Sequence, residues 1–390
     1  MIFHKVRLGE VIRTNITSYN SSDAWEYVNY LDTGNITENI ICDIQYIDLS
    51  KELLPSRAKR KVQYNSIVYS TVRPNQKHYG IIKNVPKNFL VSTGFAVIDA
   101  ITDRIDADYL FFLLTQRDII ESLQSIAEQS VSAYPSIKAS DIENLEILLP
   151  ELNDQKKIAT ILKSLNEKVE SNRNINDNLQ QQAASIFAEW LNTCADASTI
   201  GDMSYNILDY SPVCSEEIRL LNSSDITEGV FPIAPLVPNK DLKGHFKKRF
   251  QFGDILYSEI RPRNHHYGLV LFDASDYIAS TRLMVIRAIE NKVSPAMLYQ
   301  YLLLPEVEAE FTLKTESRSG TFPQGNYADM ASIRVPYSPT DSQVAISETL
   351  TQIRYTIAQN QLESQRLAEL RDTLLPKIMS GEIDVSAVQL

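Results

Sequence analysis

The chain has 390 residues, 44% of them hydrophobic and 22% charged, with a formal net charge of −11. That length suits two or three domains with their own cores, and no apolar run approaches the roughly 18–20 residues that span a bilayer. The acidic balance argues by itself against nucleic acid, and three scattered cysteines (Cys42, Cys194, Cys214) without a CxxC argue against a disulfide scaffold or a zinc site.

The opening stretch MIFHKVRLGE holds no signal-peptide core, so a cytoplasmic protein is expected. Ser66–Val72 is a β-branched and aromatic run that meets Arg73-Pro74 and predicts a strand; Phe89–Ile98 predicts another. Leu110, Leu113, Leu114, Ile119, Ile120 and Leu123 recur at three and four, which predicts a helix over 108–126. Leu145–Pro150 predicts a closing strand. Neither glycine nor proline occurs between Asn153 and Trp190. There Ile158, Leu165, Asn172, Leu179 and Ile186 fall every seven residues, with Ile161 and Ile175 assigned to the companion position. This is a heptad seam on one long helix. The order then returns: strands over 254–260 and 283–288, a helix near 295–311 and a strand over 333–336. A second seam follows at Ile346, Ile353, Asn360, Leu367 and Leu374, on a helix expected to stop near Leu375 because Pro376 forbids its continuation.

This return is an internal repeat. From about Lys61 to Trp190 the chain matches itself without a gap at an offset of 188, placing Tyr69–Pro74 on Tyr257–Pro262 and His78-Tyr79-Gly80 on His266-Tyr267-Gly268. Upstream, Ile36-Thr37-Glu38 matches Ile226-Thr227-Glu228. The period is far beyond the roughly 20–50 residues of a solenoid, so the unit is a domain plus a connector. The expected division is a first domain over 1–151, a helix over 152–191, a second domain over 192–339, and a second helix with its tail over 340–390. Two related but non-identical copies fit a protein that grips two related, non-identical targets.

Each helix of about 35 residues would be roughly 50 Å long. Both seams put asparagine in the middle slot. A polar seam residue costs stability and fixes register. Antiparallel pairing would bring the two midpoints together, so Asn172 is expected to approach Asn360.

Catalytic and metal-binding signatures are absent: there is no GxGxxG after a strand, no GxxxxGK[ST], no HExxH and no GxSxG. The repeated loops are more informative. Arg73-Pro-Asn75-Gln76-Lys77-His78-Tyr79 pairs with Arg261-Pro-Arg263-Asn264-His265-His266-Tyr267, with shared ends and a different centre. Arginine forks onto guanine edges and asparagine or glutamine onto adenine, so a shared frame with a variable centre fits two readers of different sequences. The plainer alternative is a polar hairpin whose Arg-Pro and Tyr-Gly only set a turn. Basic residues cluster before both loops, including Arg60 and Lys61 in the first copy and Lys247 and Lys248 in the second. A further loop pair offers hydroxyls, a cation and an aromatic side chain for phosphate contacts: Ser130, Ser132 and Tyr134, against Arg318, Ser319 and Thr321.

Two motifs carry a family resemblance. Leu152-Asn-Asp-Gln-Lys-Lys-Ile-Ala-Thr-Ile-Leu162 opens the first helix, and Leu374-Leu-Pro-Lys-Ile-Met-Ser-Gly-Glu-Ile-Asp-Val385 closes the second. With the duplicated layout, they resemble the specificity subunit of type I restriction–modification systems over essentially the whole chain. Asp154 stands where that motif usually has glutamate, and the second copy keeps only Gln343 and Ile346. The resemblance implies an α+β fold: two similar mixed α/β target recognition domains joined by two long helices in an antiparallel coiled coil, related by a pseudo-twofold repeat. It also implies double-stranded DNA as partner, read as a bipartite target, with two modification subunits on the helix pair and restriction subunits outside them. S-adenosylmethionine, ATP and Mg would belong to those partners, leaving this chain without a catalytic site, a metal or a cofactor of its own.

Overall fold

A computed structural model describes residues 1–130, 134–240, 242, 244–316, 324–339, 341–386 and 388. The chain forms two units, Met1–Glu167 with Leu367–Leu390, and Lys168–Arg366. Each unit takes part of both long helices.

The described residues of the first unit form twelve strands: β1 Phe3–Arg7, β2 Ile12–Thr14, β3 Tyr27–Leu31, β4 Ile36–Thr37, β5 Ile40–Ile41, β6 Gln45–Asp48, β7 Ala58–Lys61, β8 Ile67–Ser70, β9 Tyr79–Ile81, β10 Phe89–Ser92, β11 Phe95–Ala100 and β12 Glu146–Pro150. Two four-stranded sheets, ordered β6-β3-β10-β7 and β2-β11-β8-β9, form the main body, and β1 pairs antiparallel with β12. Leu31, Val68, Phe89, Val91, Phe95 and Val97 form one buried cluster shared by the two sheets. The run Phe89–Ile98, read from sequence as one strand, is two. β10 pairs with β3 and β7, whereas β11 pairs with β2 and β8, so the chain changes sheets at Thr93-Gly94. Both halves are largely apolar because both strands are buried there.

The single helix expected over 108–126 is likewise two, α1 Ala107–Leu114 and α2 Arg117–Glu128. α1 buries every residue but Asp108 and lies in the core, capped by Asp106, whose carboxylate accepts from the Tyr109 N–H. α2 buries only Ile120, Leu123 and Ala127 and keeps a polar face. A short α3, Ala139–Glu143, leads into β12 and then into α4, Leu152–Leu191.

The second unit repeats the plan. Its strands are β13 Asp196–Thr199, β14 Ser204–Asn206, β15 Glu217–Leu221, β16 Leu236–Pro238, β17 Phe246–Lys248, β18 Ile255–Ser258, β19 Tyr267–Leu269, β20 Tyr277–Ser280, β21 Leu283–Ala288 and β22 Arg334–Tyr337. The sheets run β14-β21-β18-β19 and β16-β15-β20-β17, with β13 paired to β22. Its helices are α5 Ile200–Met203, α6 Pro295–Leu302, α7 Pro305–Glu316, α8 Tyr327–Ala331 and α9 Asp341–Met379. Here too the expected helix near 295–311 is two, because Pro305 lacks the N–H that would continue α6 but suits the first turn of α7.

α4 and α9 have 40 and 39 residues, roughly 60 Å each at 1.5 Å per residue. In the first unit Ile158 and Leu162 of α4 share a core with Leu375 and Ile378 of α9. In the second, Ala183 and Phe187 share one with Leu350. Rising numbers on α4 meet falling numbers on α9, so the coiled coil is antiparallel. Ile158 and Asn172 are buried, and Leu165, Leu179, Ile186, Ile346, Ile353, Asn360, Leu367 and Leu374 are half-buried. The companion row lies one residue beyond its assigned place. Leu162, Asn176, Ala183 and Trp190 are buried, whereas Ile175 is 44% exposed.

Asn172 donates its side-chain amide to the Asn360 carbonyl at 3.4 Å and to Glu363 Oε2 at 2.8 Å. Asn360 in turn donates to Asn176 Oδ1 at 2.9 Å. The expected approach is present, as side chain to backbone, within a polar layer of three asparagines. The end of α9 corrects another expectation: Pro376 lies inside the helix, which continues to Met379. Leu375, Ile378 and Met379 are all buried in the first unit's core, and that burial outweighs the hydrogen bond that proline removes.

Gln155 and Gln343 explain part of the helix-opening motif. Gln155 is 1% exposed; its Oε1 accepts from the Asp106 N–H at 2.9 Å, and its Nε2 donates to the Arg104 and Pro150 carbonyls. Gln343 donates to the Lys292 carbonyl, the repeat counterpart of Arg104. These glutamines tie each long helix to its own sheet domain. No described helix is long and apolar enough to cross a membrane.

Candidate nucleic-acid interface

The repeated loops have the same shape in both units. Each leaves a buried central strand, β8 or β18, and makes one 3-10 turn, Pro74–Gln76 or Pro262–Asn264. It returns as β9 or β19. Arg73 and Arg261 precede the turn in left-handed conformation, and Lys77 and His265 follow it in the same region. His78 and His266 place Nδ1 at 2.7 Å from the Ile36 and Ile226 carbonyls, tying each loop to the neighbouring turn. They are structural anchors.

Tyr79 and Tyr267 lie behind the loops, stacked on Tyr69 at 5.6 Å and on Tyr257 at 5.4 Å. Burial pushes all four phenols above their ordinary range, so they stay neutral. The shared glycine has a steric reason: a Cβ on Gly80 would lie 2.5 Å from Ile36 Cδ1, and one on Gly268 2.5 Å from Phe231 Cε2.

What remains exposed is the shared arginine and most of the variable centre. The first loop presents Arg73, Asn75, Gln76 and Lys77; the second presents Arg261, Arg263 and Asn264. The Arg73 guanidinium lies 5.7 Å over the exposed Tyr134 ring. Asn75 donates its backbone N–H to Gln124 Oε1 at 3.2 Å. Ser130 is half-buried, its hydroxyl accepting from the Ser136 N–H. Ser132, Arg318, Ser319 and Thr321 lie outside the described residues.

The flanking cations divide. Lys247 is exposed. Lys248 is 4% exposed and donates to the Leu283 carbonyl at 2.7 Å, with Glu259 at 3.5 Å. Lys61 is paired with Asp23 at 2.6 Å beside Trp25, and Arg60 is half-buried with an unpartnered Nε.

The acidic partners of the loops escaped the sequence reading. Lys77 pairs with Glu38. Arg263 pairs with Glu316 at 3.2 Å, and His265 lies between Glu228 and Glu308. The recurrence of Ile36-Thr37-Glu38 at Ile226-Thr227-Glu228 was the available signal for two of these acids.

A duplicated sheet domain with a strained, cation-bearing loop, tied to a helix that pairs with its repeat, defines the class: a two-domain chain built on an antiparallel coiled coil. The chain belongs to the type I restriction modification DNA specificity domain family, whose model matches residues 3–181 and 234–371. It is 31% identical over 185 residues to the type I restriction enzyme HindI specificity subunit of Haemophilus influenzae. That match covers 47% of this chain and 39% of the relative's length. Similarity to the putative MjaX specificity subunit of Methanocaldococcus jannaschii is 22% and covers 96% and 92% of the two chains. The type I restriction–modification S subunit of M. genitalium shares the fold, with a TM-score of 0.61, 14% identity and coverage of 97% and 96%.

Proposed function

We propose that the chain is the sequence-reading subunit of a type I restriction–modification complex and recognises a bipartite DNA target. The observation that carries this reading is the repeated loop: one strained backbone, twice, presenting different base-reading side chains. Arg73, Asn75, Gln76 and Lys77 would read one half-site, and Arg261, Arg263 and Asn264 the other, by direct contacts in the major groove. Exposed Lys247 would add phosphate contacts, which position without specifying. In this reading the domains run over 1–151 and 192–339, and the helices over 152–191 and 340–390 act as spacers. Their polar layer fixes the register, so the helix pair sets the gap between half-sites.

The chain supplies recognition and no catalysis. Two modification subunits would bring S-adenosylmethionine and the methyl transfer, and restriction subunits ATP, Mg and cleavage. The reading is tested with the chain assembled on its modification subunits. Affinity for DNA carrying the methylated motif should fall steeply with salt. Shortening both helices by matched whole turns should shorten the non-specific gap. An unchanged gap would defeat the spacer role. Turnover of DNA by the lone chain with Mg²⁺ would favour a self-contained enzyme instead, and salt-insensitive or absent DNA binding a scaffold for other partners.

A further inference from the structure

His265 is the counterpart of Lys77. Both occupy the left-handed residue after the 3-10 turn, with φ 54° and 57°, and both reach the glutamate of the matching Ile-Thr-Glu turn. The second loop adds another acid. His265 Nδ1 is 2.9 Å from Glu228 Oε1, and its Nε2 is 2.9 Å from Glu308 Oε1 on α7. In the first unit the position of Glu308 is taken by Ile120, which is buried.

A carboxylate only accepts hydrogen bonds, and a neutral imidazole has a single N–H. Both contacts therefore require the imidazolium. We propose that His265 is a positioning residue whose protonation clamps the second recognition loop to Glu228 and Glu308, so that this loop responds to pH and the first does not. This rests on reading the loops as recognition elements.

The surrounding groups leave His265 to titrate. Glu228 faces it from the turn after Ile226, and Glu308 from α7. Tyr267 on β19 lies 5.9 Å from its ring, and Tyr299 on α6 packs edge-on against Tyr267 at 6.2 Å. Arg354 of α9 lies 5.0 Å over Tyr299. Arg263, on the same loop, is engaged by Glu316. Burial keeps the tyrosines neutral, and arginine stays charged at any working pH. His266 makes the same carbonyl contact as His78. The Glu228 hydrogen bond, with Glu308 adding to it, holds the His265 pKa above its ordinary value against partial burial. A raised folded pKa means that the stabilisation is complete below the unfolded value of about 6.5 and is lost as pH rises through the folded value. Deprotonation frees one carboxylate and leaves Glu228 and Glu308 without the cation between them.

The test is hydrogen exchange of the full chain at pH 5.5 and 8.5, corrected for the intrinsic rate, with a histidine NMR titration alongside. Protection of 261–267 should fall about tenfold at the higher pH, the scale of one charged hydrogen bond, while 73–79 is unchanged. His265→Lys should remove the pH response, and His265→Gln should leave the loop unprotected at both pH values. Equal responses in the two loops, or a response that survives His265→Lys, would overturn the clamp. DNA discrimination in the assembled complex separates the two ideas. If protection changes with pH and half-site discrimination does not, the clamp stands and the recognition reading falls.

Discussion

Arg73 and Arg261 lie 188 residues apart and share one backbone conformation, φ 48° with ψ 69° and 70°. A non-glycine residue held there costs on the order of 1–3 kcal/mol and persists only when its surroundings impose it. Glycine would meet the same backbone without strain. Arg73→Gly should therefore leave Tm within a few degrees while weakening DNA binding by tenfold or more; calorimetry and a binding titration check the two halves. A large fall in Tm with unchanged DNA affinity would make the arginine a fold residue instead.

The polar layer of the coiled coil gives a second prediction. Changing only Asn172 and Asn360 to leucine would leave buried Asn176 without the amide that Asn360 gives it, a cost of about 1–3 kcal/mol. Replacing Asn172, Asn176 and Asn360 together should keep or raise Tm, as apolar replacement of a whole buried polar group does, and loosen register. Cross-linking of cysteine pairs along α4 and α9 reads the register directly: one partner per position in the parent, several in the triple variant.

The two anchoring glutamines should be unequal. Among the described residues Gln155 makes three side-chain hydrogen bonds in a buried site and Gln343 one. At about 0.5–1.5 kcal/mol per bond, Gln155→Ala should cost roughly 2–4 kcal/mol and Gln343→Ala about 1 kcal/mol, measured by denaturant unfolding. Equal losses would remove the anchor role from Gln155.

The second unit holds an ion pair between buried Asp254 and half-buried Arg287 that the repeat positions of the first unit cannot make. Asp254 is fully buried and accepts from Arg287 Nε at 2.6 Å and Nη2 at 2.8 Å; the repeat positions are Ser66 and Asp99. Arg287→Ala leaves an uncompensated carboxylate and should cost about 3–5 kcal/mol. Asp254→Ser with Arg287→Asp, which copies the first unit, should recover part of that loss in the same unfolding measurement.

The duplicated architecture was legible because both copies carry the same pattern and because heptads over a glycine-free stretch have one physical reading. Where the reading failed, burial on several sides had erased the pattern. Phe89–Val91 and Phe95–Ile98 are apolar and buried on either side of Ser92-Thr93-Gly94, so no change of periodicity marks the change of sheet at Thr93-Gly94. Leu113 and Leu114 belong to a helix buried all round, which hid its break before Arg117. Hydrophobicity favoured Ile175 over Asn176 for the seam, yet the asparagine is inside because a polar partner from α9 meets it there. The loops were visible as repeats. Glu38 and Glu228 recurred as well, but nothing local marked them as partners, and Glu308 and Glu316 had no such signal, since only folding brings these acids beside the cations.

The central claim is that each repeated loop reads one half of a divided DNA site. The most direct measurement is methylation mapping on genomic DNA with the chain assembled on its modification subunits. The parent is compared with a variant carrying Arg263-Asn264-His265 in place of Asn75-Gln76-Lys77. The parent should give a two-part motif, and the variant a change confined to one part. A single contiguous motif, or both parts unchanged in the variant, would contradict it.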